Sequence, residues 1–134
     1  MTKEELRKYR KIADEVRWLG ERLEEMRQTM IVPSIPKLTG MPNGNEYHDK
    51  IAEAVQRYID ASQMYAEKLD ELTAELYYIE ACINSLEDPA ERTLLHRRYI
   101  DGMKWENICV AMGYEWAQTH RIHAEALKHI AAIY

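Results

Sequence analysis

Near the end of the chain, Trp116, Gln118, His120 and Arg121 bring together the donors, acceptors and flat apolar surface that read base edges in a DNA groove. Arg121 can fork onto a guanine edge or hold a phosphate, and Gln118 can pair with adenine. His120 can donate to a base acceptor, and Trp116 can cover a thymine methyl or pack against its own support. Upstream, Arg97, Arg98 and Lys104 are cations suited to phosphates, although arginines flanking Tyr99 can equally pair with acids elsewhere in the chain.

Other chemistry has less material. His120 and His123, at i and i+3, share a helical face with His129 and Cys109 not far away in sequence, but no paired Cys-x-x-Cys completes a zinc set, so no metal and no cofactor are expected. Near phosphate, histidines would gain charge at mildly acidic pH. No Gly-rich phosphate loop, nucleophile elbow or paired metal motif occurs, and the scattered carboxylates fit solvated helix faces. The chain does not read as an enzyme, and no catalytic residue is assigned.

The elements that position these side chains are helices. Asp88-Pro89-Ala90-Glu91 is a start signal: Asp88 can accept from first-turn amides, Pro89 suits the first helical position, and Glu91 can bond back to the cap. Leu94, Leu95 and Tyr99 give this helix one apolar side, and Asp101-Gly102 ends it. Trp105, Ile108, Cys109 and Met112 fall at i, i+3, i+4 and i+7, one buried stripe of a short second helix, and Gly113-Tyr114 turns the chain. A third helix runs from Glu115 to the end, with Ile122, Ala126, Leu127, Ile130 and Ile133 inward. A short helix, a Gly-containing bend and a longer helix with a polar start form a helix-turn-helix pattern, which a plain helical bundle also satisfies.

The stretches Leu95-His-Arg-Arg-Tyr-Ile-Asp-Gly102, Trp105-Glu-Asn-Ile108, Met112-Gly-Tyr114 and Arg121-Ile-His-Ala-Glu-Ala-Leu127 resemble region four of bacterial sigma factors. They are more closely similar to phage and prophage proteins of the RinA/ArpU type, which join such a module to an N-terminal helical part. The resemblance covers the last third of the chain. It implies a DNA-binding regulator of transcription with the helix from Glu115 as reader, and it places Trp116, Ala117, His120 and Arg121 toward the bases. One departure is Glu115 itself, which stands where the family usually has a Ser or Thr that caps the reader and touches a phosphate.

Ahead of this module, Ile51, Val55, Tyr58, Ser62, Tyr65, Leu69, Leu72, Leu76, Ile79, Ile83 and Leu86 alternate spacings of four and three, a heptad seam on one long helix. A helix from about 3 to 30 has a matching seam at Tyr9, Ile12, Val16, Leu19, Leu23, Met26 and Met30. Between them, residues 31–45 hold Pro33, Pro36, Pro42, Gly40 and Gly44, which no helix survives. The expected architecture is all-α: residues 1–87 form an antiparallel, coiled-coil-like hairpin with helices of about 3–30 and 46–87, and residues 88–134 form the three-helix module. The hairpin is the expected oligomerisation unit, a dimer above other states. The seam from Leu76 to Leu86 would lie beyond the first helix, open to the C-terminal module or a second subunit. Apolar residues of the loop, Ile31, Val32, Ile35, Leu38 and Met41, read as a local cover over the hairpin end.

Charge bounds the partners. The chain of 134 residues has net charge -5 and lacks a general basic surface. Residues 46–88 are rich in acids against Lys50, Arg57 and Lys68, so that arm should avoid DNA. In the last third, cations and acids nearly balance, so one copy would bind DNA weakly and a dimer would double its contacts. No apolar run is long enough to cross a bilayer and no cleavable signal is visible, so the expected location is the cytoplasm of a bacterial host. There Cys82 and Cys109 would be reduced core residues. Double-stranded DNA is the expected partner. Two alternatives use the same helices: an adaptor that binds RNA polymerase, and a phage DNA-packaging or structural subunit.

Overall fold

The computed structural model of the chain describes residues 1–31 and 44–133, and every regular element among them is helical. In order these are α1 (Lys3–Ile31), α2 (Gly44–Asn84), α3 (Pro89–Leu95), α4 (Trp105–Met112) and α5 (Trp116–Ile133); α3 continues into a wide π-helical turn at His96–Ile100. The chain is all-α. The loop residues from Val32 to Met41 that were expected to cover the hairpin end lie outside the described residues.

Local chemistry sets the helix ends. At α3, Asp88 accepts from the Ala90 amide at 2.9 Å and Pro89 opens the helix. The turn before it is held by Arg92, whose Nη1 donates to the carbonyls of Leu86 at 2.6 Å and Glu87 at 2.9 Å. That turn stops α2 at Asn84, three residues short of the sequence expectation of 87. Gly102 and Gly113 both adopt φ +70, the left-handed conformation that an L side chain resists.

The contacts divide the chain into two compact units: Met1–Asp14 with Glu71–Tyr134, and Glu15–Asp70. This differs from the expected boundary at 87/88. In the first unit a single apolar core takes Leu6 and Tyr9 of α1, Ile79, Cys82, Ile83 and Leu86 of α2, and Leu94, Leu95, Tyr99, Ile108, Ala126 and Ile130 of the last third. Three short helices bury too little surface alone, so the module is completed by the beginning of α1 and the end of α2. The seam from Leu76 to Leu86 is thus spent inside the subunit. Lys8 pairs with Glu75 at 2.8 Å, which sets the antiparallel register there.

In the second unit α1 and α2 are again antiparallel: Lys68 pairs with Glu15 at 3.5 Å, and Gly20 lies against the Tyr65 ring. Val16 is buried and Leu19, Leu23, Met26 and Met30 are half-buried, as the α1 seam predicts. On α2 the seam splits. Tyr58, Ser62 and Tyr65 are half-buried alongside Ala54 and Ala61, whereas Ile51 (41%), Val55 (37%) and Leu69 (41%) are exposed. Two helices facing each other cover one stripe apiece, so apolar residues at the edge of a wider stripe stay in solvent.

Candidate nucleic-acid interface

The turn between α4 and α5 is Gly113, Tyr114 and Glu115, with Gly113 donating its amide to Val110 and Tyr114 donating to Cys109. Nothing lies within 4 Å of where a Gly113 side chain would begin, so its glycine requirement is purely conformational. After this turn α5 buries Thr119, His123, Ala126 and Ile130 at i, i+4, i+7 and i+11. The sequence expectation needs correction here. Ala126 and Ile130 are buried and Ile122 and Leu127 pack half-buried against the core as expected, but Ile133 is 49% exposed and the inward line also takes in two polar residues.

Those polar residues can be buried because each is satisfied. Thr119 Oγ1 donates to the Glu115 carbonyl at 3.0 Å, and the Tyr99 hydroxyl meets His123 Nε2 at 2.7 Å. Burial pushes the Tyr99 phenol above its usual value. Burial, reinforced by Lys3, Arg98 and Arg7 nearby, holds the His123 imidazole down at about 4. His123 is therefore neutral at physiological pH, and it does not gain charge in the mildly acidic range expected for histidines near phosphate. Glu91, expected to bond back to its own cap, is instead buried and accepts from His129 Nδ1 at 2.8 and 2.9 Å. That pairing raises the His129 pKa.

With the inward line fixed, Ala117, Gln118 and Arg121 are exposed, and Trp116 is 52% exposed. Ala117, Arg121, Ala124 and Lys128 repeat at i, i+4, i+7 and i+11 on the side opposite the core, a face narrow enough to approach a groove and carrying two cations. His120 differs from its expected role. Its ring lies 4.4 Å from both Trp105 and Trp116, and its Nε2 is buried with no hydrogen-bond partner. That nitrogen is closed off from solvent, and the ring packs against Trp116.

Comparison with known proteins finds no matching family model, no similar curated protein and no similar solved structure. The site therefore stands on its own geometry.

The three upstream cations divide. Lys104 is exposed at the cap of α4. Arg98 donates to the Met103 carbonyl at 2.9 Å with its guanidinium 4.8 Å from the Trp105 ring, and Arg97 Nη1 lies 3.9 Å from Met103 Sδ. Both arginines thus hold the bend into α4 while remaining half-exposed. Neither forms the ion pair with long-helix acids that the sequence also allowed among the described contacts. Cys82 and Cys109 are free thiols, the first buried and the second half-buried. Among the described residues, no three His, Cys, Asp or Glu are grouped to hold a metal ion, and no helix is long and apolar enough to cross a membrane.

Sequence reasoning missed one feature of this region. Lys3, Arg7 and Arg10, at i, i+4 and i+7 on α1, line a pocket with Arg98, Tyr99 and Trp105. In the sequence these cations are mixed with nearly as many acids along the first helix, and the residues they face lie some ninety positions away.

Proposed function

We propose that this protein is a sequence-specific, double-stranded-DNA-binding regulator of transcription, phage- or prophage-encoded and acting in the bacterial cytoplasm. The first turns of α5 are its reading element. One observation carries the reading: a three-residue turn with Gly113 in the left-handed conformation leads into a helix that leaves Ala117, Gln118 and Arg121 exposed while its inward line is fixed by Thr119, His123, Ala126 and Ile130. The resemblance of residues 89–134 to sigma region four and to RinA/ArpU-type proteins agrees with this. Arg121 and Gln118 are the base-contact candidates, Trp116 an apolar contact, and Arg97, Arg98 and Lys104 the phosphate candidates. Two copies would share a site, because a nearly neutral module neutralises few phosphates alone.

Selection of bound fragments from random and phage DNA tests the reading, repeated at several salt concentrations. The expected result is an enriched motif whose affinity falls steeply with salt. Arg121→Ala should lose about 1–3 kcal/mol and relax the preference at one position of the motif. No enrichment at low salt, or an Arg121→Ala variant with unchanged preference, refutes it.

A second reading has one observation in its favour. Val110 is 83% exposed on α4, close in sequence to exposed Trp116, and apolar side chains left in solvent suit a protein partner. RNA polymerase is that partner in the adaptor reading. Its capture without DNA, abolished by Val110→Asp, supports it.

A further inference from the structure

The first turns of α1 face the bend between α3 and α4, and the concavity between them has a volume of about 260 Å³. Lys3, Arg7, Arg10 and Arg98 line it, with Tyr99 and Trp105 as aromatic walls. Four cations around one hollow are costly to hold together unless something negative enters, because like charges repel and share little solvent. Their local acids offset them only in part. Arg7 pairs with Glu4 at 3.1 Å, but both side chains are largely exposed, so that pair is easily given up. Arg10 is committed to the wall, donating to the Ile100 carbonyl at 3.2 Å and to Asp14 at 3.4 Å. Lys3 has no ion pair among the described contacts. His123 lies behind the wall, held neutral chiefly by its burial, with Lys3, Arg98 and Arg7 adding to the effect.

The pocket wall is joined to α5 through packed rings. Arg98 lies over Trp105 at 4.8 Å, Trp105 meets His120 at 4.4 Å, and His120 meets Trp116 at 4.4 Å. This column of flat groups links the hollow to the exposed start of α5. We propose that the pocket lined by Lys3, Arg7 and Arg98 receives a backbone phosphate of the same DNA that α5 reads, so that the start of α1 belongs to the DNA interface. The inference rests on the DNA-binding reading and extends it to a segment that the sequence resemblance does not cover. A phosphate there takes Lys3, Arg7 released from Glu4, and Arg98, while Arg10 stays on its carbonyl. The contact fixes how the module sits on the duplex and carries no sequence information.

The experiment measures DNA affinity against salt for the full chain and for Arg7→Gln, the Lys3→Gln/Arg7→Gln pair, Arg121→Ala and Lys11→Gln. Lys11 is an exposed α1 lysine outside the pocket and controls for net charge. Expected for Arg7→Gln is weaker binding by the same factor on every sequence, with the slope of log affinity against log salt reduced by about 1. The double variant should fall further with an unchanged motif, and Lys11→Gln should match the parent. Circular dichroism confirms that each variant keeps its helices. Equal loss in Lys11→Gln and Arg7→Gln, or no loss in the double variant while the parent still binds its motif, overturns the pocket and leaves the DNA reading intact. A parent chain that binds no DNA at low salt overturns both.

Discussion

At the scale of single residues, two of the three histidines of α5, His123 and His129, are set in opposite directions by their surroundings. His123 is buried against Tyr99 and held neutral, with its pKa at about 4. His129 is exposed, pairs with buried Glu91 and is raised above the ordinary value. Above about 6.5, the unfolded-state value, His123 is neutral in both states. As pH falls toward 4 the unfolded chain takes up a proton that the folded one refuses, so His123 lowers stability on acidification. His129 binds its proton more tightly when folded, so its pairing stabilises fully below about 6.5 and is lost as pH rises through the folded value. Titration of the histidine ring signals by NMR should give one midpoint near 4 and one above 6.5, assigned by His123→Gln and His129→Gln. In Glu91→Gln the high midpoint should return toward about 6.5; if it stays put, the Glu91 pairing is not its cause. None of this was visible in the sequence, where the histidines read as an incomplete metal set and as groups that would gain charge near phosphate. Apolar periodicity cannot announce a buried polar residue whose hydrogen-bond partner lies on another helix.

At the scale of elements, the turns were the most legible part of the chain. Asp88-Pro89, Asp101-Gly102 and Gly113-Tyr114 each act where their chemistry indicated, because caps and left-handed glycines are decided by a few adjacent residues. The inward line of α5 was misread because Thr119 and His123 are satisfied over a distance that no local window spans. The two glycines also separate local from tertiary constraint. Gly113→Ala meets only the conformational penalty of φ +70, about 1–2 kcal/mol. Gly102→Ala meets the same penalty and in addition brings a Cβ to 2.6 Å from the Arg10 guanidinium, which must shift and so strains its bond to the Ile100 carbonyl. Urea unfolding should therefore find Gly102→Ala the more destabilising of the two. In an Arg10→Ala background the excess should vanish, a coupling that a double-mutant cycle reads directly. Additive effects would mean that Arg10 does not rest on this turn.

At the scale of the whole molecule, the long seam on α2 was legible as apolar spacing but not as a set of partners. Its later part is consumed by the core with α3–α5, and Tyr58 and Tyr65 turn toward α1, which leaves Ile51, Val55 and Leu69 in solvent with Ile59 beside them. About two-fifths of each of these side chains is left to bury, which would stabilise by roughly 0.6–1.2 kcal/mol apiece, a contribution to pairing of two chains. On the proposed DNA reading, a second copy would be the occupant that also meets the electrostatic need, since a nearly neutral module would double its phosphate contacts by pairing. Pairing brings together two chains of net charge -5, so screening should favour it. Self-association should then strengthen with salt while DNA affinity weakens, two trends of opposite sign in one molecule of net charge -5. Sedimentation equilibrium should find a dimer that Ile51→Asp/Leu69→Asp converts to a helical monomer, with DNA affinity reduced in step. A parent chain that stays monomeric at high salt removes the pairing, and a ring-sized mass moves the protein to the packaging class, where the same exposed face would bind neighbours around a circle.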